Sequence, residues 1–130
     1  MEIAQAMSFH SRNIGCAAAG QRPLYRQRKA NMFSHVVIFW TDPKQPNAVE
    51  ELVAGAEEYL KSIPGILLFH VGRMVKSERS VVDQSYQVAL NLIFADKKSQ
   101  DDYQVHPRHI EFVEKVFKRV CTKVVIYDFE

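Results

Sequence analysis

A chain of 130 residues, 47% apolar and 25% charged, is long enough for one domain with its own core and has a globular rather than a disordered or fibrous composition. Its formal charge of +2 is uneven: residues 1–31 hold Arg12, Arg22, Arg26, Arg28 and Lys29 against Glu2, leaving 12 basic and 14 acidic groups for the rest. That slightly acidic body argues against a nucleic-acid-binding surface, and no apolar run nears the roughly 20 residues that span a bilayer.

Residues 1–32 show neither helical nor strand periodicity. They read as an N-terminal extension, either disordered or an overlong start with Met32 as the natural beginning. The Arg-rich, nearly acid-free makeup is also a weak match to an organellar transit peptide, so the expected compartment is the cytoplasm with an organelle as the alternative. The expected domain is 33–130. Its opening run, Phe33-Ser34-His35-Val36-Val37-Ile38-Phe39-Trp40, is β-branched and aromatic and apolar on both faces, which predicts a central strand ending at Thr41-Asp42-Pro43. Asn47 then offers a helix cap, with Glu50 three residues on to complete a capping box. Val49, Leu52, Val53, Ala56, Leu60 and Ile63 make one helical stripe that Pro64-Gly65 brings to an end.

Ile66–Val75 predicts a second strand, and Lys76–Gln84 a polar connection. Tyr86, Val88, Leu90, Leu92 and Phe94 alternate strictly and predict a third strand with one apolar face. Ser99-Gln100-Asp101-Asp102 reads as another capping box opening a short helix. Pro107 fits the first position of a further helix whose buried stripe is Ile110, Val113, Val116 or Phe117, and Val120. Lys123–Phe129 closes the domain as a fourth strand, apolar on both faces, with Cys121 near the end of the preceding helix. Cys16 and Cys121 form no disulfide framework or zinc-type spacing.

The order β-α-β-β-α-(α)-β is the α+β, ferredoxin-like plan, whose helices cover one face of the sheet. The end strands are apolar on both sides, so the uncovered face needs a partner. A two-fold homodimer with sheet packed on sheet supplies one.

Chemistry concentrates in Tyr103-Gln104-Val105-His106-Pro107-Arg108-His109. His109 falls in the first turn of a helix, where the dipole disfavours imidazolium, so a neutral, proton-accepting ring is expected. Tyr103 and His109 are either an acid–base pair in one cavity or packing and local hydrogen-bonding groups. His106 stands where a cap belongs, or contacts ligand. His35 lines the same cavity or is a paired core histidine. Asp128 orients a histidine, or meets solvent. His106 and His109 with Asp102 or Asp128 have no third metal ligand fixed by spacing, so no metal is expected, and no cofactor motif is visible. The basic run of the last helix, with Glu111 and Glu114 interspersed, reads as a solvated face.

Several of these segments together resemble the stress-responsive dimeric α/β-barrel (Dabb) family over roughly residues 33–129. They are His35-Val36-Val37-Ile38-Phe39, Ile63-Pro64-Gly65-Ile66, Gly72-Arg73, Tyr103 with His106-Pro107-Arg108-His109, and Ile126-Tyr127-Asp128-Phe129. The resemblance implies a ferredoxin-like subunit that pairs across a two-fold axis. It extends to a polyketide (olivetolic acid) cyclase branch, whose catalytic tyrosine and histidine match Tyr103 and His109 and whose strand-one histidine matches His35. Ala56 stands where that branch has a pocket-lining aromatic. The expectation is therefore a homodimer with a small-molecule pocket between sheet and helices, with His35, His106 and Asp128 as substrate-binding candidates. The alternatives are a cofactor-independent cyclase, isomerase or lyase acting on a β-keto or polyketide-like compound through Tyr103 and His109, and a structural assembly protein without ligand.

Overall fold

The first strand, β1, is Phe33–Thr41 in the computed structural model, which describes residues 32–130. The expectations for residues 1–31 lie outside that range. Alternation along β1 puts Phe33, His35, Val37 and Phe39 on one buried face. A helix, α1, follows at Ala48–Tyr59, then strand β2 at Ile66–Arg73 and strand β3 at Val88–Phe94. Helix α2 is Lys97–Val105 and α3 is Pro107–Phe112. A π-helical turn, Val113–Phe117, and a last helical turn, Lys118–Val120, lead into strand β4, Cys121–Phe129.

The four strands form one antiparallel sheet in the order β2-β3-β1-β4. This is the ferredoxin-like α+β arrangement expected from the element order. β1 is central, pairing Val37 with Leu90 of β3 on one side and with Ile126 of β4 on the other. Directly paired residues share a face. Val88, Leu90, Leu92 and Phe94 therefore join the buried face of β1, beneath Leu52, Ala56 and Leu60 and beneath Phe112, Val116 and Val120. Each fully buried Leu or Phe here contributes at most about 1.5–3 kcal/mol.

The opposite face carries Val36, Ile38 and Trp40 of β1, Ile93 of β3 and Tyr127 and Phe129 of β4, with Tyr127 and Phe129 each 59% exposed. It is apolar and bare. Trp40 lies there half-exposed, its Nε1 donating to Ser85 Oγ and Lys123 Nζ standing 4.4 Å over its ring.

Local details depart from the sequence reading at five places. Asn47 makes no side-chain cap bond, because its backbone is not extended as a cap requires, and Glu50 turns toward Arg73 instead. α1 ends at Tyr59, although Leu60 and Ile63 remain buried in the turns before Gly65, whose φ of +95° favours glycine. Asp96, not Ser99, caps α2: its carboxylate accepts from the Ser99 N–H, leaving Asp102 to pair with Lys98. Ile110 is 51% exposed and Phe112 takes the inward place. Cys121 opens β4 rather than closing a helix, and burial pushes its thiol up to about 12. Among the described residues no helix is long and apolar enough to cross a membrane.

Candidate functional site

A cavity of about 120 Å³ lies between the inner face of β1 and the segment running from α2 through the π turn. It has two unlike ends. Near one end of β1 stand His35, Tyr103, Gln104 and His109; four residues along the strand, about 13 Å at 3.3 Å per residue, stand Phe39, Phe112 and Phe117. Val124 and Ile126 of β4 form part of the wall.

His35 points inward because β1 alternates, and its place is fixed from the neighbouring strand. Asp128 is its register partner on β4, and the carboxylate Oδ1 lies 2.5 Å from His35 Nδ1. A carboxylate can only accept here, so Nδ1 carries the hydrogen. The pair joins a buried imidazole to an acid that is nearly half-exposed.

Tyr103 is 1% exposed and sits between rings, with centroids 5.9 Å from His35, 5.3 Å from Phe94 and 4.8 Å from His109. Burial pushes its phenol well above the usual range, so it stays an O–H donor. No described residue bonds that hydroxyl, yet no buried side-chain nitrogen or oxygen among the described residues lacks a partner. Tyr103 is one of the residues that line the cavity.

His109 is held below the ordinary value of 6.5, first by burial and then by the neighbouring His35, against a backbone hydrogen bond at Gln104 that favours the charged ring. The neutral form follows, as the sequence implied, but burial rather than a helix dipole is the leading cause. A neutral imidazole carries one N–H and one bare ring nitrogen, so His109 can accept a proton. An acid-like phenol and a base-like imidazole thus edge one apolar cavity. Such a pair can take a proton from a carbon acid and hydrogen-bond the oxygen on which charge develops.

His106 does not line the cavity: it occupies the N-cap of α3, and its Nδ1 accepts from the Arg108 N–H at 3.1 Å. Asp128 reaches the site only through His35. Gln104, Phe112 and Phe117 line the cavity and were not among the sequence candidates. Phe117 had a signal as an alternative member of the buried stripe; Gln104, an exposed polar residue next to Tyr103 on α2, had none. No group of three or more His, Cys, Asp or Glu side chains among the described residues is arranged to hold a metal ion.

The profile of the family described as Stress responsive A/B Barrel Domain matches residues 33–130. The Stress-response A/B barrel domain-containing protein HS1 of Arabidopsis thaliana is 29% identical over 97 residues, covering 74% of this chain and 86% of that protein. Among solved structures, a dimeric protein of unknown function with a ferredoxin-like fold from Bacteroides fragilis superposes with a TM-score of 0.62 at 19% identity, covering 77% of this chain and 96% of the other. A hydroxynitrile lyase from Passiflora edulis gives 0.64 at 14% identity, over 76% and 92%. At these identities the two structures speak to the fold alone.

Proposed function

The chain belongs to the stress-responsive A/B barrel domain family, and from that premise we propose that it works as a homodimer whose subunits each hold a small, uncharged, largely apolar molecule between sheet and helices. The observation that carries this reading is the cavity itself, apolar over most of its wall, with His35, Tyr103 and His109 gathered at one end. Tyr103 offers a hydrogen and His109 a lone pair to whatever enters. An engineered apolar cavity of about 150 Å³ accepts benzene, so one of 120 Å³ is suited to the body of a compact molecule, not to a large one. The homodimer is supported by the bare apolar sheet face and by the dimeric ferredoxin-like relative.

The test uses a slender methyl ketone, 2-hexanone, as probe. Its addition is expected to shift the ring resonances of His35, Tyr103 and His109 saturably in an NMR titration. A titration that leaves all three rings unmoved would refute the binding reading in favour of a purely structural assembly.

The contact of Tyr103 with His109 favours a second reading, cofactor-independent acid–base catalysis. His109 would remove a proton from the carbon next to a carbonyl, breaking C–H and forming N–H, while Tyr103 hydrogen-bonds the enolate oxygen. Return of the proton completes the cycle. In D2O the protein is then expected to exchange the α-hydrogens of 2-hexanone for deuterium, and His109→Ala to abolish that exchange. Exchange at the uncatalysed rate with bound ketone would leave binding without chemistry.

A further inference from the structure

We propose that the π turn Val113–Phe117 is the specificity element of the cavity: by seating Phe117 beside Phe112 it closes the apolar end and sets the greatest length of ligand. This rests on the binding reading above and adds which residues select among ligands.

In an uninterrupted α-helix each residue advances about 100°, so Phe117 would stand about 140° round the axis from Phe112. Only one of the two rings would then face the cavity squarely. The observed ladder differs: the Lys118 N–H reaches the Val113 carbonyl, an i→i+5 bond. The wider turn advances each residue by less than the roughly 100° of an α-helix, so Phe117 swings back from that offset toward the side of Phe112. The rings show it, since both pack on the same partner, Phe39, with centroids at 6.4 Å for Phe112 and 6.0 Å for Phe117. All three rings line the cavity, at the end away from His35 and Tyr103.

The turn is pinned from behind. Val116 presses on Gly55 of α1 so closely that a Cβ at Gly55 would lie 2.8 Å from both Val116 methyl carbons. With Val116 held there, Phe117 is directed at the cavity, while Glu114 and Lys115 face solvent. π turns are rare and frequently mark functional sites, since the wider turn is an inferior helix unless its displaced side chains have a use. Here the displaced side chain is Phe117.

A ligand fitting this shape has one polar end, a carbonyl or hydroxyl, toward Tyr103 and His109. Its slender apolar tail runs along β1 and stops at the Phe112–Phe117 wall.

The test compares dissociation constants for straight-chain 2-alkanones from butanone to decanone in wild type, Phe117→Ala, Phe117→Leu and the solvent-facing control Lys115→Ala, with folding checked by circular dichroism. In wild type the affinity is expected to tighten about fourfold per added methylene until the tail meets the wall, and then to stop improving. Phe117→Ala is expected to move that limit outward by at least two methylenes, Phe117→Leu by less, and Lys115→Ala not at all. Ketones that bind all four proteins with one common length limit would overturn the inference while leaving the binding reading intact. Failure of every ketone to bind wild type would overturn both.

Discussion

Tyr103 lies deep in the core, yet its hydroxyl has no described protein partner. Deleting that oxygen therefore breaks no hydrogen bond to a described residue, and Tyr103→Phe is expected to change unfolding free energy by less than about 1 kcal/mol while ending α-hydrogen exchange. An equal loss of thermal midpoint and exchange would instead assign Tyr103 to packing. His109 gives a pH dependence of definite sign. Its folded-state value lies below 6.5, so below that pH the unfolded chain binds the proton first and folding weakens. The stability His109 confers is fully present above pH 6.5 and is lost as pH falls toward its depressed folded value. Denaturant midpoints measured from pH 7.5 down to 5 are expected to fall less steeply in His109→Asn than in wild type; parallel curves would show that His109 does not titrate as described. Tyr103 and His109, which meet at the cavity, were legible because a phenol and an imidazole stand six residues apart across a proline-started helix. His106 was not separable from His109 by type. Only the backbone shows that one ring turns back to cap the Arg108 N–H while the other turns in.

At the scale of elements, strands read well and helix ends poorly. β1 and β3 announce themselves by period-two burial, which the pleat imposes whatever the neighbours do. The capping residues at Asn47 and Ser99 were misplaced because several Asn, Ser and Asp residues compete within a turn, and backbone angles chosen by tertiary packing decide among them. Ile110 misled for another reason. The buried stripe of the last helices starts after Pro107 and then passes through a π turn, so a single α-helical period cannot describe it. The close approach of Gly55 and Val116 predicts a definite energetic result. Gly55→Ala, although it gains helix propensity, is expected to cost about 1–3 kcal/mol through overpacking, seen as a lowered thermal midpoint. Val116→Ala in the same chain is expected to recover part of that loss. If Gly55→Ala leaves the midpoint unchanged or raises it, the two segments are not held as tightly as described.

At the scale of the molecule, the sheet has a helix-covered side and a bare one. Ile38 lies mid-strand on the bare side, level with Ala89 and Val125. Ile38→Glu puts a charge at the centre of the proposed subunit contact. Sedimentation equilibrium is expected to give twice 15.0 kDa for wild type and 15.0 kDa for the variant. A wild-type mass of 15.0 kDa at micromolar concentration would exclude the homodimer. The two-sided apolarity of β1 and β4 made the bare apolar face legible in advance; the geometry of the proposed contact lies beyond what pattern can specify. The central position of β1 has a consequence for biosynthesis. The first strand of the domain to leave the ribosome has one flank reserved for β3 and the other for β4, the last to be made. Until translation reaches β4, the Ile38 and Phe39 stretch has an unpaired, oily border, the kind of strand edge that pairs with a stranger unless it is kept apart.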